Sequence, residues 1–188
     1  MTAMLADKRR VAALRDAGLL TDSPQEAYDR FTRLAATIVD APIALFTVIT
    51  SDEQRFASQY GLWEPLATER RTPLSHSFCQ YVVLSSAPLE VSDAREHPVV
   101  KGNPAIEDMR VIAYLGVPLI TRKGETLGSL CAIDHEPRDW TERDRLVLKD
   151  LAAATVTEVE LRRTTRGAVE LAARLEAELR ELRKGRRT

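Results

Sequence analysis

The amino-acid sequence predicts an α+β fold, in which a mostly antiparallel sheet is flanked by helices from both ends of the chain. Three observations support this prediction. An amphipathic helix precedes the first extended run, two pairs of extended runs are each joined by a short polar turn, and a long helix with a heptad pattern follows the last run. With 188 residues, 44% of them hydrophobic, the chain can fill one globular core.

The first half of the chain supplies a helix and a hairpin. In "SPQEAYDRFTRLAATIVDAP", Ser23 is the predicted N-cap, Pro24 takes the first helical position and Glu26 completes a capping box. Apolar residues then recur on one predicted helix face, at Ala27, Phe31, Leu34, Ala35 and Ile38. The runs "IALFTVIT" and "QRFASQYG", separated by "SDE", are rich in β-branched and aromatic residues and predict two antiparallel strands.

The second half begins with "PLSHSFCQYVVLSS", which predicts a short helix capped by Ser75 or Ser77. "PLEV" predicts a brief strand, and the stretch after it, with two prolines and a glycine, predicts an ordered loop. "VIAYLGVPLIT" and "TLGSLCAID" are apolar on both faces, which is typical of central strands, and predict a second hairpin.

A long helix is predicted from Thr141, its N-cap, to the end of the chain. Apolar residues recur there every seven positions, at Val147, Ala154, Leu161, Ala168, Leu175 and Leu182, with Leu151, Ala172 and Leu179 on the adjoining seam. Glu158 and Thr165 interrupt that seam. We expect the first part of this helix to cover the sheet and the second part to pair with another copy of the chain.

Charge and cysteine content limit the possible partners and location. The 27 basic and 28 acidic residues nearly cancel, so the chain as a whole favours neither nucleic acid nor a membrane as partner. Residues 162–188 carry a net charge of +5, and their end "RELRKGRRT" is more typical of a solvated helix terminus than of a nucleic-acid site. Two cysteines and no apolar N-terminal run predict a cytoplasmic protein.

His76 and Cys79 lie three residues apart at the start of the predicted short helix. A helix N-terminus and a nearby imidazolium both lower the pKa of a thiol, so Cys79 is a candidate nucleophile. The alternative, which we favour, is that Cys79 is a small buried hydrophobic residue and His76 lies in the solvated loop.

Cys131 lies in the middle of a predicted strand, and the sequence does not show which face it occupies. A Cys79–Cys131 redox pair would need the two sulfurs within bonding distance. A zinc site drawn from His76, Cys79, His97, Cys131, Asp134 and His135 has no recognised ligand spacing. We therefore predict no metal site.

Further candidates are polar residues at strand ends and large apolar residues. Asp93 and Asp134 end strands, where they either turn the chain or contact a ligand. Large apolar residues that line a ligand cavity or fill it are Phe46, Phe56, Phe78, Met109 and Tyr114. The predicted ligand-binding set is Phe46, Phe78, Cys79, Asp93, Met109, Tyr114, Cys131 and Asp134.

Several stretches together resemble one family, the GAF domain, in the subtype found with bacterial histidine kinases, diguanylate cyclases and phosphatases. They are "LRDAGLLTDSPQEAYDRFTRLAATIVDAPIALFTVIT", "SFC", "VSDAREHPVVKGNP" and "YLGVPLITRKGETLGSLCAIDHEPRDWTERDRLVLKDLA". The resemblance implies a six-stranded antiparallel sheet, a small-molecule pocket roofed by loops, and dimerisation through terminal helices. It divides the chain into an N-terminal helical segment (1–20), a GAF domain (21–160) and a coiled-coil extension with a basic tail (161–188).

The chemically distinct branches of this family are disfavoured one by one. The Asn-Lys-Phe-Asp-Glu signature of the cyclic-nucleotide branch is absent. The loop "NPAIEDMRVIAY" has neither the cysteine of bilin-binding members nor the histidine of haem-binding members. The several pocket-loop cysteines of free methionine sulfoxide reductases are absent as well.

The resemblance implies a sensory or regulatory module that binds a small ligand or a partner and acts, as a homodimer, on a separate kinase, cyclase or phosphatase. The sequence contains no phosphate loop, nucleophile elbow or paired carboxylates, so we predict that it is not an enzyme. Two alternatives stay open at this point: a redox sensor or reductase that uses Cys79 and Cys131, and a structural dimerisation module whose pocket is closed by its own side chains.

Overall fold

A computed structural model describes residues 5–21 and 26–185, with side chains as far as residue 180. The strands are β1 (Ile43–Ile49), β2 (Glu53–Tyr60), β3 (Arg71–Pro73), β4 (Leu89–Val91), β5 (Ala113–Ile120) and β6 (Thr126–Asp134). The helices are α1 (Lys8–Asp16), α2 (Glu26–Val39), α3 (Leu66–Glu69), α4 (Cys79–Ser85), α5 (Ala105–Asp108) and α6 (Glu142–Gly185), with a 3₁₀ turn at Leu74–His76. The predicted α+β class, the flanking helices and the long C-terminal helix are confirmed.

All six strands form one antiparallel sheet in the order β3-β2-β1-β6-β5-β4. Both predicted hairpins are present, and β1 pairs with β6, so the two hairpins join at the centre of the sheet. The edge strand β3 was not predicted, because its three residues, Arg-Thr-Pro, contain a charged residue and a proline and show no apolar run. The predicted capping residues Ser23 and Pro24 lie outside the described residues.

Alternate residues of β1 divide the core into two clusters. Ala44, Phe46 and Val48 face α1, α2 and α6, and we call this side of the sheet the helix face. Leu45 and Ile49 lie on the opposite side with α4, which we call the α4 face. The sheet is therefore buried on both sides, as the continuous apolar runs predicted.

The buried side of α2 agrees only in part with the predicted one. Phe31 and Ala35 are buried as predicted and Tyr28 is buried with them, whereas Leu34 and Ile38 are 41% and 37% exposed. The Tyr28 ring packs edge-on against Phe46, with the ring centroids 5.1 Å apart. This aromatic contact rotates the helix away from the stripe that apolar spacing alone had indicated.

The N-terminal segment contacts both faces of the sheet. Leu14 of α1 is buried on the helix face, whereas Leu5 is buried on the α4 face. The guanidinium of Arg10, itself buried, donates to the carbonyl oxygen of Ile49 at 2.7 Å and to that of Leu5. This segment therefore closes one end of the sheet.

The predicted cap of α6 is confirmed. The Thr141 hydroxyl accepts from the Asp144 N–H at 3.2 Å, and the Asp144 carboxylate accepts from the Thr141 N–H at 2.9 Å. The sheet-facing residues of α6 are Leu148, Ala152, Thr155, Val156 and Val159. The expectation that the first part of α6 covers the sheet is confirmed, but the residues that face the sheet are not those of the predicted heptad seam. Val147 and Leu151 lie only at the edge of the core, and Ala154 is exposed. No helix in the described part of the chain is both long and apolar enough to cross a membrane.

Candidate functional site

The α4 face encloses a group of thiols and hydroxyls that come from four secondary-structure elements. Thr47 comes from β1, Tyr114 from β5, Ser129 and Cys131 from β6, and Cys79 from the first turn of α4. All five residues are buried. We call these five residues the thiol cluster.

Short contacts connect the members of the thiol cluster. The Tyr114 hydroxyl donates to the Cys79 sulfur at 3.2 Å and lies 3.5 Å from the Ser129 hydroxyl oxygen. The sulfurs of Cys79 and Cys131 are 3.8 Å apart, and both cysteines are free thiols. The Thr47 hydroxyl donates to the Ser129 carbonyl oxygen at 3.3 Å, so the polar atoms are satisfied inside an apolar shell.

Gly116 allows Tyr114 to reach Cys79. These residues lie two apart on β5 and share the α4 face, and Gly116 is paired with Cys131 of β6. A Cβ atom at Gly116 would lie 2.1 Å from the Tyr114 hydroxyl oxygen and 2.5 Å from its ring. The ring therefore lies across the glycine, and it packs at a tilt against Phe78 with centroids 5.5 Å apart.

The two thiols differ in acidity. Burial raises the pKa of Cys79, but the groups around its sulfur, Cys131, Thr47, Tyr114 and Ser129, outweigh burial and lower that pKa below its ordinary value. Burial first, and then the adjacent Cys79 sulfur, raise the pKa of Cys131 well above its ordinary value. Burial likewise raises the pKa of Tyr114, so its hydroxyl stays a donor. Cys79 is therefore the group that ionises first.

The centre of the α4 face is filled by protein side chains, and open cavities lie around it. A cavity of about 440 Å³ opens beside α4, and its wall includes Leu5, Gln80 and Tyr81. A second cavity of about 310 Å³ lies at the other end of α4, beside Val83 and Leu84. The predicted site residues do not line either cavity.

His76 does not act as a base for Cys79. Its Nδ1 lies 2.9 Å from the Ser75 hydroxyl oxygen, and its Nε2 lies 3.0 Å from the Asp108 carboxylate. The contact with Asp108 ties the 3₁₀ turn to α5. The described residues contain no group of three or more His, Cys, Asp or Glu side chains that could hold a metal ion.

The predicted strand-end carboxylates turn and brace the chain. Asp93 accepts from the Arg95 backbone N–H at 3.0 Å and from the Arg95 guanidinium. Asp134 accepts from the His135 N–H at 2.7 Å and lies 3.4 Å from Arg138. Both carboxylates therefore have local partners, and neither belongs to the thiol cluster.

The structure brings five of the predicted site residues together on the α4 face: Phe78, Cys79, Met109, Tyr114 and Cys131. The assignment of Phe46 to that site is corrected, because Phe46 lies on the helix face against Tyr28. The strand alternation in β1 separates Phe46 from Leu45 and Thr47, and composition does not show which side is which.

Thr47, Ser129 and Gly116 were not singled out from the sequence. A partial signal existed for Ser129, which lies two residues before Cys131 and hence on the same side of β6. Gly116 likewise lies two residues after Tyr114. The pairing of β1, β5 and β6, which brings these residues together, is a property of the sheet and not of any single strand.

The sheet order and the covering helices agree with what comparison with known proteins shows. The profile of the GAF domain family matches residues 23–159. The chain belongs to the GAF domain family. A cyclic di-GMP phosphodiesterase of Pseudomonas aeruginosa is 34% identical over 158 residues, which make up 83% of this chain and 26% of that relative. The chain therefore spans about a quarter of the length of this curated relative.

Solved GAF domains have the same fold at low sequence identity. The GAF domain of a phosphoenolpyruvate-protein phosphotransferase from Coxiella burnetii superimposes with a TM-score of 0.64 at 19% identity, covering 84% of this chain and 96% of that chain. A free methionine-R-sulfoxide reductase from Neisseria meningitidis superimposes with a TM-score of 0.60 at 18% identity, covering 81% and 89%. At these identities the likeness supports the GAF fold alone.

Proposed function

We propose that this GAF domain is a regulatory module that acts as a homodimer and passes its state to an effector through α6. The observation that carries the proposal is the division of one continuous helix of 44 residues into two different halves. Among the α6 side chains described, which extend to residue 180, the last buried one is Val159, and Leu161 is already 61% exposed. The second half therefore carries apolar residues that the domain itself does not cover.

Contacts with α1 mark where the supported half of α6 ends. Arg163 forms an ion pair with Asp16 at 3.1 Å, and Arg166 donates to the Ala17 carbonyl oxygen at 3.1 Å. Leu171, Leu175 and Leu179 are each at least half exposed. Isolated apolar stripes of this kind are unfavourable in water, so this half needs a covering partner.

A second copy of the chain fits this stripe. Ala168, Ala172, Leu175 and Leu179 alternate at spacings of four and three residues, which is the period of a coiled coil. In a parallel pair each seam residue meets its own counterpart, so an identical helix supplies a matching seam. Thr165 leaves the start of this seam weak, which favours two packings of similar energy.

Strand β5 connects the thiol cluster with α6. Tyr114 faces α4, whereas its neighbours Ala113 and Leu115 face the helix side on which α6 packs. A change around Tyr114 would therefore shift the surface under α6 by way of one strand. The identity to a cyclic di-GMP phosphodiesterase supports an effector of that class, regulated by this domain.

The test of pairing is the Leu175→Asp/Leu179→Asp variant, with mass measured by light scattering. We expect the wild-type chain to be a dimer and this variant to be a monomer, because two buried carboxylates per helix would lie in the seam. The matched control is Ala173→Asp/Ala177→Asp, which adds the same charges to the same turns on the opposite side of the helix. A dimeric seam variant, or a monomeric wild type, would refute the proposal.

The regulatory part is tested in a chimera. This chain replaces the matching 158 residues of the Pseudomonas phosphodiesterase, and hydrolysis of cyclic di-GMP is measured. We expect the seam variant to change the rate and the control variant to leave it unchanged. Equal rates for all three chimeras would show that α6 carries no signal.

The filled α4 face favours a second candidate, a dimerisation module that takes no ligand. If the chain is such a module, we expect its unfolding temperature to stay the same when cyclic nucleotides, cyclic di-GMP or amino acids are added. A clear rise with any of these compounds would exclude it and support ligand input.

A further inference from the structure

The two cysteines lie 52 positions apart in the chain and meet beneath α4. Their sulfurs are 3.8 Å apart, and a disulfide requires about 2.05 Å, so the sulfurs need to approach by about 1.75 Å. Cys79 lies on a helix of only seven residues, whereas Cys131 is fixed in a central strand. We therefore expect α4, and not β6, to move in this approach.

We propose that Cys79 and Cys131 are a redox modification site, which a small peroxide converts reversibly into an intrachain disulfide. This inference does not depend on the pairing of α6. The oxidant is hydrogen peroxide or an alkyl peroxide of similar size, and the reductant that restores the site is a dithiol.

The reaction has two steps. The Cys79 thiolate attacks one oxygen of the peroxide, the O–O bond breaks, and the Cys79 sulfenic acid forms. The leaving group is hydroxide from hydrogen peroxide or an alkoxide from an alkyl peroxide, and it takes up a proton and leaves as water or as an alcohol. The Cys131 sulfur then attacks the Cys79 sulfur, the S–O bond breaks, and water leaves with the Cys131 proton. Two thiols and one hydrogen peroxide thus give one disulfide and two waters, with two electrons passing to the peroxide oxygens.

The surroundings assign different roles to the two cysteines. The Tyr114 hydroxyl points at the Cys79 sulfur from 3.2 Å and stabilises its thiolate. The Cys131 sulfur is the nearest resolving group, since it already lies 3.8 Å from Cys79. Cys79 is therefore the attacking thiol and Cys131 the resolving thiol.

Burial selects the oxidant. Cys79 is 2% exposed and Cys131 is fully buried, so a bulky disulfide such as oxidised glutathione cannot reach either sulfur. Open cavities lie at both ends of α4, beside Gln80 and beside Val83. Local opening of this two-turn helix gives a small peroxide access, and its closing brings Cys131 to the sulfenic acid.

The test uses the native chain and stoichiometric hydrogen peroxide. After removal of the peroxide, the protein is denatured in N-ethylmaleimide and examined by intact mass and tryptic mapping. We expect both thiols to disappear together, a mass lower by two hydrogen atoms, a peptide pair joined through Cys79 and Cys131, and recovery with dithiothreitol. Sulfinic acid on Cys79 beside an alkylated Cys131, disulfides between chains, or two unreacted thiols would each overturn the proposal.

Two variants test the assigned roles without relying on the disulfide itself. Cys131→Ser should leave Cys79 as a sulfenic acid that dimedone traps. Tyr114→Phe keeps the ring and should slow oxidation about tenfold, as expected for loss of one hydrogen bond to an ionised group. Tyr28→Phe, the same change on the helix face, should leave the rate unaltered. Equal rates for Tyr114→Phe and wild type would contradict the activation of Cys79.

Discussion

The two faces of the sheet are built from the same strands but differ in what they enclose. The helix face lies under α1, α2 and α6, and its core is mainly apolar and aromatic, with one buried hydrogen bond of 2.8 Å between the hydroxyls of Thr32 and Ser58. The α4 face lies under the short helices α4 and α5 and their loops, and it contains the thiol cluster. Neighbouring residues such as Tyr114 and Leu115 therefore belong to different environments.

This contrast shows how one small domain can place rigid packing on one face of its sheet and reactive groups on the other. Long helices cover the helix face with many apolar side chains and leave little room for rearrangement. A seven-residue helix over hydroxyls and thiols can open locally at low cost while the other face stays intact. We expect matched substitutions on the two faces to change the free energy of unfolding by different amounts, and in one case in opposite directions.

The largest expected effect is that of Phe46→Ala on the helix face. Loss of this fully buried ring and of its contact with Tyr28 should lower the free energy of unfolding by about 3–5 kcal/mol in urea titrations. Phe78→Ala, the matched change on the α4 face, should cost less than Phe46→Ala, because the loops around α4 can collapse into the space. An equal or larger cost at Phe78 would show that the α4 face is packed as rigidly as the helix face.

A smaller effect is expected from Gly116→Ala. Its methyl group would displace the Tyr114 ring from Cys79, and we expect a loss of about 1–3 kcal/mol of stability, measured by chemical unfolding. The control is Gly167→Ala in the second half of α6, where the new methyl group meets no atom within 4 Å. That change should stabilise α6 by about 0.5–1 kcal/mol, since alanine is the better helix former. Unimpaired stability of Gly116→Ala would mean that the Tyr114 ring has room to move.

The smallest expected effect concerns two Tyr→Phe changes, which should alter the free energy of unfolding in opposite directions. The buried Tyr28 hydroxyl has no hydrogen-bond partner in the described part of the chain, so Tyr28→Phe should be neutral or slightly stabilising. The Tyr114 hydroxyl is bonded to Cys79, so Tyr114→Phe should cost about 0.5–1.5 kcal/mol. Thermal and urea unfolding of both variants provide the comparison. A change in the free energy of unfolding of the same sign for both would show that the two buried hydroxyls do not differ in their contribution to stability.

The sequence by itself determined the order and type of the main elements. Both hairpins, α6 with its Thr141 cap and the GAF resemblance follow from short-range signals: strand propensity, polar turns, capping residues and motif order. These signals are local, so they survive without knowledge of the packing. The division into segments at residues 20 and 160, the cytoplasmic location and the homodimer stay predictions.

Only the tertiary structure decided which side chains share a face. A strand shows alternation but not which of its two sides meets which layer, so Phe46 was assigned to the wrong face. Helical spacing likewise placed Leu34 inward, whereas the contact of Tyr28 with Phe46 turns it outward. The meeting of Cys79 with Cys131 depends on the pairing of β5 with β6 and on the seating of α4 across them. Such contacts join residues far apart in the chain, and the physical reason that the sequence did not show them is that packing, not local preference, selects them.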